Sequence, residues 1–391
     1  MKKNITILHL FLDDKFFDLI SEFFDSLDGV ENIYCFYNSN KKFQFKYIKR
    51  SDKINLIHDY KKYVSLFSDS KIDVVYVQAL SYRFYKYFKY ISIEKKIIWW
   101  SWGYDIYNSI GFYSPLIKLD LYKHETKHSR CVPTLTNISK WLYKLAIVIA
   151  CPLYLNNRRK IVSRIDYYTP VLAYEYELLK SSCSYFKAKP FMLKGGPSIH
   201  QQVALVYRER PGNIIVGNSL TYENNHLDVL DVLANCSVKE GQSYVFPINY
   251  GDFPKSVLKK RAKELDAPLV WLESFLSREE YFALFDKVTH AVFGVIRQQA
   301  MGNIFRCLSQ GIKVFLYEDS IVYKQLKLDG YHVYTIDDDL KGDALQHPLS
   351  FEEATQNITL YNNLARVKAD DSKNEFENLI NEVIHEWRVG M

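Results

Sequence analysis

Short apolar runs recur along the chain at Ile5–Phe11, Ile33–Phe36, Val74–Val77, Ile97–Trp100, Ile214–Val216, Tyr244–Pro247, Leu269–Trp271, His290–Phe293 and Val314–Tyr317. Runs of this length are strands rather than buried helices. Between several of them the apolar positions fall three and four apart, the spacing of a helix with one buried face. Strands alternating with helices predict parallel sheets joined by crossover helices, an α/β architecture. The pattern breaks across 189–213, KPFMLKGGPSIHQQVALVYRERPGN, where Gly, Pro and polar residues cluster. A boundary there gives an N-terminal domain over 1–195 and a C-terminal domain over 196–371, facing each other across a cleft. The helical pattern of the last residues predicts a terminal helix over 372–391 that packs back across.

Composition supports this frame and adds an asymmetry. With 391 residues, 48% of them hydrophobic and 25% charged, the chain can fill two cores; a disordered chain or a small disulfide-stapled scaffold is excluded. The net charge of +6 hides a division: residues 1–200 carry 31 Lys and Arg against 18 Asp and Glu, and residues 201–391 carry 20 against 27. A basic half points to a polyanionic partner, which can be phosphates, an anionic membrane face or nucleic acid. The six cysteines are scattered without a C-x-x-C pair, the pattern of reduced thiols in a cytosolic protein. The N-terminus MKKNITILHLFLDD has no small-residue cleavage site and reads as a first strand rather than a secretory signal. Apolar stretches stay short of the roughly 18 residues a membrane span needs. Trp141–Leu155 comes nearest, flanked by Lys140 and by Arg158, Arg159 and Lys160. It suits a segment lying in a membrane interface and, equally, a buried helix.

Three segments carry candidate chemistry. In IIVGNSLTYENNHLDVLDVL, a strand ends at Gly217-Asn218-Ser219 and a helix starts near Asn224, with Leu227, Leu230 and Leu233 on its apolar face. Asn is a good N-cap, and backbone N–H groups at a helix start after a Gly-containing turn suit a diphosphate; an ordinary strand-to-helix turn has the same pattern. Further on, Ser277 and Glu280 form a capping box. A later helix divides its faces, with Gln299, Gly302, Asn303, Arg306 and Gln310 on a polar stripe and Ala300, Ile304, Cys307 and Leu308 opposite. Arg297 precedes that helix where a phosphate would sit. In IIWWSWGYDIYN a strand runs into an aromatic turn holding Asp105, placed either as a general base or as a turn residue. A competing motif, His124-Glu125-Thr126-Lys127-His128, matches the H-E-x-x-H pattern of zinc hydrolases, but basic residues flank it and no third ligand follows. No nucleic-acid-binding motif accompanies the basic half.

The segments WWSWGYDIYN, VGNSLTYENNH, FPINYGD and FGVIRQQAMGN resemble, in order and spacing, those of TDP-N-acetylfucosamine:lipid II N-acetylfucosaminyltransferases. These enzymes add 4-acetamido-4,6-dideoxygalactose to a lipid-linked saccharide in enterobacterial common antigen synthesis. The similarity is strongest over 97–108 and 213–318. It implies a GT-B architecture of two Rossmann-like domains, and a peripheral enzyme on the cytoplasmic face of the bacterial inner membrane with no required metal or other cofactor. The implied donor is a dTDP-sugar, and the implied acceptor is a polyprenyl-diphosphate-linked saccharide of common-antigen or O-antigen synthesis. On this reading Gly217, Asn218, Ser219 and Arg297 hold the donor phosphates. Asn224, Tyr250, Gln298, Gln299 and Asn303 complete the donor site, Asp105 is the acid/base or acceptor-orienting residue, and no nucleic acid is involved.

Overall fold

The computed structural model describes the chain apart from residues 1–4, 13–16, 46–47, 60, 82–83, 86, 109–114, 132–150, 193–201, 206, 208–211 and 390–391. Most of Trp141–Leu155 and most of the interdomain stretch read at 189–213 therefore lie outside the described residues. The chain forms two compact units, each built on one parallel sheet.

The first unit holds β1 (Ile5–Phe11), β2 (Val30–Tyr37), β3 (Ile54–Ile57), β4 (Val74–Gln78), β5 (Lys96–Trp100), β6 (Tyr167–Thr169) and β7 (Lys189–Pro190), in the order β3-β2-β1-β4-β5-β6-β7. Every residue of β1 is buried, which is why it reads as an unbroken apolar run. Its one polar ring, His9, sits among Phe24, Tyr34 and Tyr76 and meets Asn32 Oδ1 at 2.9 Å. Burial brings that imidazole down to about 4, so it is neutral in the core. The second unit holds β8 (Asn213–Val216), β9 (Tyr244–Pro247), β10 (Leu269–Leu272), β11 (Val288–Phe293), β12 (Lys313–Leu316) and β13 (Tyr334–Thr335), in the order β10-β9-β8-β11-β12-β13. Numbered within the unit this is 3-2-1-4-5-6, the Rossmann strand order, whose direction reverses between β8 and β11. Ile214, Val216, Phe246, Val292 and Phe315 form the centre of its core.

The unit boundaries differ from the sequence division in two places. Residues from Leu119 through the helix His124–Cys131 cluster with the second unit, although they precede the N-terminal domain's last strands. The cause is polar. Asn225 Oδ1 accepts from the Lys123 N–H at 2.8 Å, and its Nδ2 donates to Leu121 O at 3.1 Å. Asp228 accepts from the N–H groups of Glu125 (2.8 Å) and Thr126 (3.0 Å) and from the Thr126 hydroxyl (2.6 Å). A carboxylate thus caps the start of the helix from a distant part of the chain. Asp228→Ala leaves those three donors without their acceptor and is expected to cost about 1.5–3 kcal/mol, read as a lower midpoint in thermal unfolding.

The second difference is the C-terminal helix, which does not begin at 372 but runs from Phe351 to Val389. Its residues up to Leu364 cluster with the second unit and those from Ala365 with the first. Phe376 and Ile380 are buried in the first unit's core, where Phe376 packs on Phe24 and Phe191.

The basic triplet at 158–160 is not one surface patch. On the helix Cys151–Arg164, Arg158 is buried while Arg159 and Lys160 are exposed, because successive helical residues turn by about 100°. Among the described residues no helix is long and apolar enough to cross a membrane. Among the described residues Cys35, Cys183, Cys236 and Cys307 form no disulfide, and burial pushes the Cys35 thiol up to about 12.

Candidate functional site

The reversal between β8 and β11 brings two of the sequence-selected segments side by side. Val216 pairs with Val292, and the Gly217 N–H reaches Val292 O at 2.8 Å. Gly217 has φ +69°, and a Cβ there would lie 2.6 Å from His226 Cε1, so the turn admits no side chain at that point. Asn224 shapes the turn from inside. Its Oδ1 accepts from the Asn218 N–H at 3.2 Å, and its Nδ2 donates to Ser219 Oγ (3.0 Å) and Thr221 Oγ1 (3.1 Å). Ser219 is fully buried, so its hydroxyl serves the turn.

The helix begins later than the sequence places it. It spans His226–Leu233, and its N-cap is Asn225, which has φ 48° and makes no side-chain cap bond. Asn225 and His226 are buried, so this helix start does not open onto the turn. The neighbouring helix Met301–Ser309 is the one that does. Its N-cap, Ala300, has φ 60° and no side-chain cap; Gly302 is exposed, and Met301 and Asn303 are half-buried. An L residue held in the left-handed region stores strain of about 1–3 kcal/mol, and such strain concentrates at functional sites.

Around this opening several polar atoms are buried without a partner among the described residues: Asn218 Oδ1, Arg297 Nε, Gln299 Oε1 and Arg306 Nε. Their other atoms are fixed. Asn218 Nδ2 donates to the Tyr250 hydroxyl at 3.4 Å, Gln299 Nε2 to Thr221 Oγ1 at 3.2 Å, and Arg297 Nη1 to Gln298 O at 3.1 Å. The Arg306 guanidinium lies over the Phe282 ring at 4.9 Å. The second unit therefore brings Gly217, Asn218, Ser219, Asn224, Tyr250 and Gln299 into one connected network. Arg297, Gln298 and Asn303 stand on the adjoining β11-to-helix segment. Sequence reasoning left out Thr221, which links the two segments, and Arg306, although the polar stripe had marked the latter. Both bonds of the Ser277–Glu280 capping box form.

Asp105 belongs to the first unit, at the start of the helix Tyr104–Tyr107 beyond β5. Its Oδ2 accepts from Leu80 N (2.8 Å) and Trp99 Nε1 (2.7 Å), and its Oδ1 from Trp102 N (2.9 Å). Burial raises its pKa above the usual carboxylate value, against the pull of these three donors and of its own backbone N–H.

No protein-family model matches the sequence, and no curated protein matches it. Solved structures do. The lipopolysaccharide outer core galactosyltransferase WaaB, in its apo form, is 12% identical with a TM-score of 0.57, over 97% of this chain and 99% of that one. An alpha,alpha-trehalose-phosphate synthase (UDP-forming) from Burkholderia vietnamiensis is 9% identical with a TM-score of 0.57, over 97% and 100%. Anabaena HepE in complex with UDP and glucose is 9% identical with a TM-score of 0.53, again over 97% and 100%. The fold is GT-B.

In this GT-B chain the H-E-x-x-H segment does not assemble a metal site among the described residues. His124, with a side chain 90% exposed, bonds the adjacent Glu125 at 2.7 Å. The helix start beside it is held by Asp228, so its residues serve packing within the second unit.

A second buried carboxylate accompanies Asp105 in the first unit of the GT-B fold. Glu175 is fully buried and accepts from the Tyr107 hydroxyl (2.7 Å), Leu172 N (2.9 Å) and Val171 N (3.1 Å). Burial raises it to about 7, with the Asp105 charge adding to the rise. A carboxyl with a raised folded-state pKa stabilises fully while protonated in both states, and that contribution is lost as pH climbs through about 7. Unfolding free energy is therefore expected to fall by about 3 kcal/mol between pH 4.5 and 8, and Glu175→Gln should flatten that slope. Denaturant titrations across the pH range check this; an unchanged slope in the variant would assign the dependence elsewhere.

Proposed function

We propose that this chain is a glycosyltransferase that takes a sugar from a nucleotide donor held by its second unit. The observation that carries the reading is the group of buried polar atoms on Asn218, Arg297, Gln299 and Arg306, without a partner among the described residues, at the switch point of a Rossmann sheet. Ligands of open α/β sheets bind at that crevice, and buried polar atoms call for partners. Arg297 and the uncapped start of Met301–Ser309 supply positive charge and N–H donors to a diphosphate. Asn218, Tyr250, Gln298, Gln299 and Asn303 then face the nucleotide and sugar, while Gly217, Ser219 and Asn224 hold the turn in shape. The UDP and glucose of the Anabaena HepE complex support a nucleotide-sugar ligand.

The finer reading rests on the motif resemblance. The donor is a dTDP-4-acetamido-4,6-dideoxyhexose, and no further cofactor is required. The acceptor is a polyprenyl-diphosphate-linked saccharide of surface polysaccharide synthesis, met at the cytoplasmic face of the inner membrane. Asp105 receives the acceptor hydroxyl proton or orients that hydroxyl. The basic first half draws the enzyme to anionic headgroups, with Arg159 and Lys160 among its exposed cations. A thermal-shift screen against dTDP, UDP and GDP tests the donor class: dTDP is expected to raise the unfolding midpoint most. Equal, negligible shifts for all three would remove the nucleotide site.

A further inference from the structure

The turn that carries Asp105 is held from two sides. Its helix, Tyr104–Tyr107, is a single turn of four residues, too short to keep a geometry of its own, so its angle is set by what its side chains meet. Asp105 and Tyr107 stand two residues apart, about 200° round the axis, on opposite sides of that turn. On one side Leu80, Trp99 and Trp102 tie the Asp105 carboxylate to β5 and to the segments that follow β4 and β5. On the other side the hydroxyl of the buried Tyr107 donates to Glu175 Oε1 at 2.7 Å. Glu175 is anchored in turn, because its Oε2 accepts from Val171 N and Leu172 N at the start of the helix Ala173–Ser182. That helix follows β6, the neighbour of β5 in the sheet. Capping a helix start does not call for burial, since Glu280 accepts from the Ser277 N–H while exposed. Burying a carboxyl costs free energy, and the contact that burial adds here is the one to Tyr107. The two carboxyls are close enough for the Asp105 charge to act on Glu175.

We infer that Glu175 is a positioning residue, which through the Tyr107 hydroxyl fixes the angle of the Tyr104–Tyr107 turn and with it the direction of the Asp105 carboxylate. The inference rests on the reading of Asp105 as the group that meets the acceptor hydroxyl, and it gives that group its support. A group that takes a proton or orients a hydroxyl must be held in place, and a misplacement of about 1 Å can lower the rate about a hundredfold. Donors on one side of a single turn leave it free to tilt about them, and a bond on the opposite side removes that freedom. Fully buried, Glu175 touches no substrate; its effect reaches transfer only through Asp105.

The first readout needs no substrate. Hydrogen exchange is followed by NMR at the three donors of Asp105, the Trp99 indole N–H and the Leu80 and Trp102 amides, with the amides of β1 as reference. Tyr107→Phe removes only the hydroxyl. It is expected to speed exchange at those donors about tenfold, the equivalent of one hydrogen bond, and to leave β1 unchanged. A merely structural loss would speed β1 along with them. The second readout is transfer from dTDP-4-acetamido-4,6-dideoxygalactose to a farnesyl-diphosphate-linked disaccharide. In Tyr107→Phe kcat is expected to fall about tenfold to a hundredfold with dTDP affinity unchanged. Glu175→Gln should keep kcat within a few-fold of wild type, because the amide can accept from Val171 and Leu172 through Oε1 and donate to Tyr107 through Nε2. Added to Asp105→Asn, Tyr107→Phe should lower kcat no further. If Tyr107→Phe does not fold, Glu175→Met carries both comparisons. The inference is overturned if the folded variant exchanges at the Asp105 donors as wild type does, transfers as fast, or lowers kcat as much in Asp105→Asn as in wild type. An inactive Asp105→Asn beside an active Tyr107→Phe removes this inference alone. A fully active Asp105→Asn removes the Asp105 reading and this inference with it.

Discussion

Replacing Asp105 with Asn is expected to lower sugar transfer by about 10²–10⁴-fold while leaving nucleotide affinity within a few-fold of wild type. The carboxylate is engaged by three N–H donors, from Leu80, Trp99 and Trp102, and an amide can match at most those on one of its two atoms. Its Nδ2 then confronts another N–H, so the variant should also lose about 1–3 kcal/mol of stability. Activity is therefore compared at a temperature where thermal unfolding shows both proteins folded. The pH profile separates a proton acceptor from a positioning group. A base must be ionised, so transfer by the wild type should fall as pH drops through the raised pKa of Asp105. Asp105→Asn should lose that limb altogether. Transfer within a few-fold of wild type would leave Asp105 as a residue that only ties β5 to its turn.

Arg297→Ala is expected to weaken nucleotide binding by about 1.5–3 kcal/mol, or roughly tenfold to more than a hundredfold. The side chain is held at Nη1 by Gln298 O, whereas its buried Nε has no partner among the described residues. A guanidinium with part of its fork already fixed loses little freedom on meeting a diphosphate. Arg297→Lys should recover only part of the affinity, since an ammonium cannot reproduce the fork. Calorimetric titration of dTDP checks both variants, and unchanged affinity in Arg297→Ala would take the residue out of the site.

The central strands were legible because burial on both faces of a parallel sheet writes itself as an unbroken apolar run, as at β1, β9 and β11. β6 and β7 escaped because three and two residues, Tyr167–Thr169 and Lys189–Pro190, carry no periodicity. The allegiance of His124–Cys131 was hidden for a different reason. Its ties run from the side chains of Asn225 and Asp228 to backbone N–H groups, and backbone partners leave no trace in a sequence. The candidate site was half legible. Gly217-Asn218-Ser219 and Arg297-Gln298-Gln299 stand out as polar ends of apolar strands, and the sheet order brings them together. Thr221 resembles an ordinary turn residue until hydrogen bonds are traced, and only the geometry marks it.

The central claim is that a nucleotide-sugar donor binds at the β8–β11 switch point. Titration of dTDP into wild type, Arg297→Ala and Asp105→Asn, side by side, tests it most directly. The account predicts saturable binding by wild type, nearly the same affinity in Asp105→Asn, and at least a tenfold loss in Arg297→Ala. It is contradicted if wild type binds no nucleotide, or if Arg297→Ala binds as tightly as wild type.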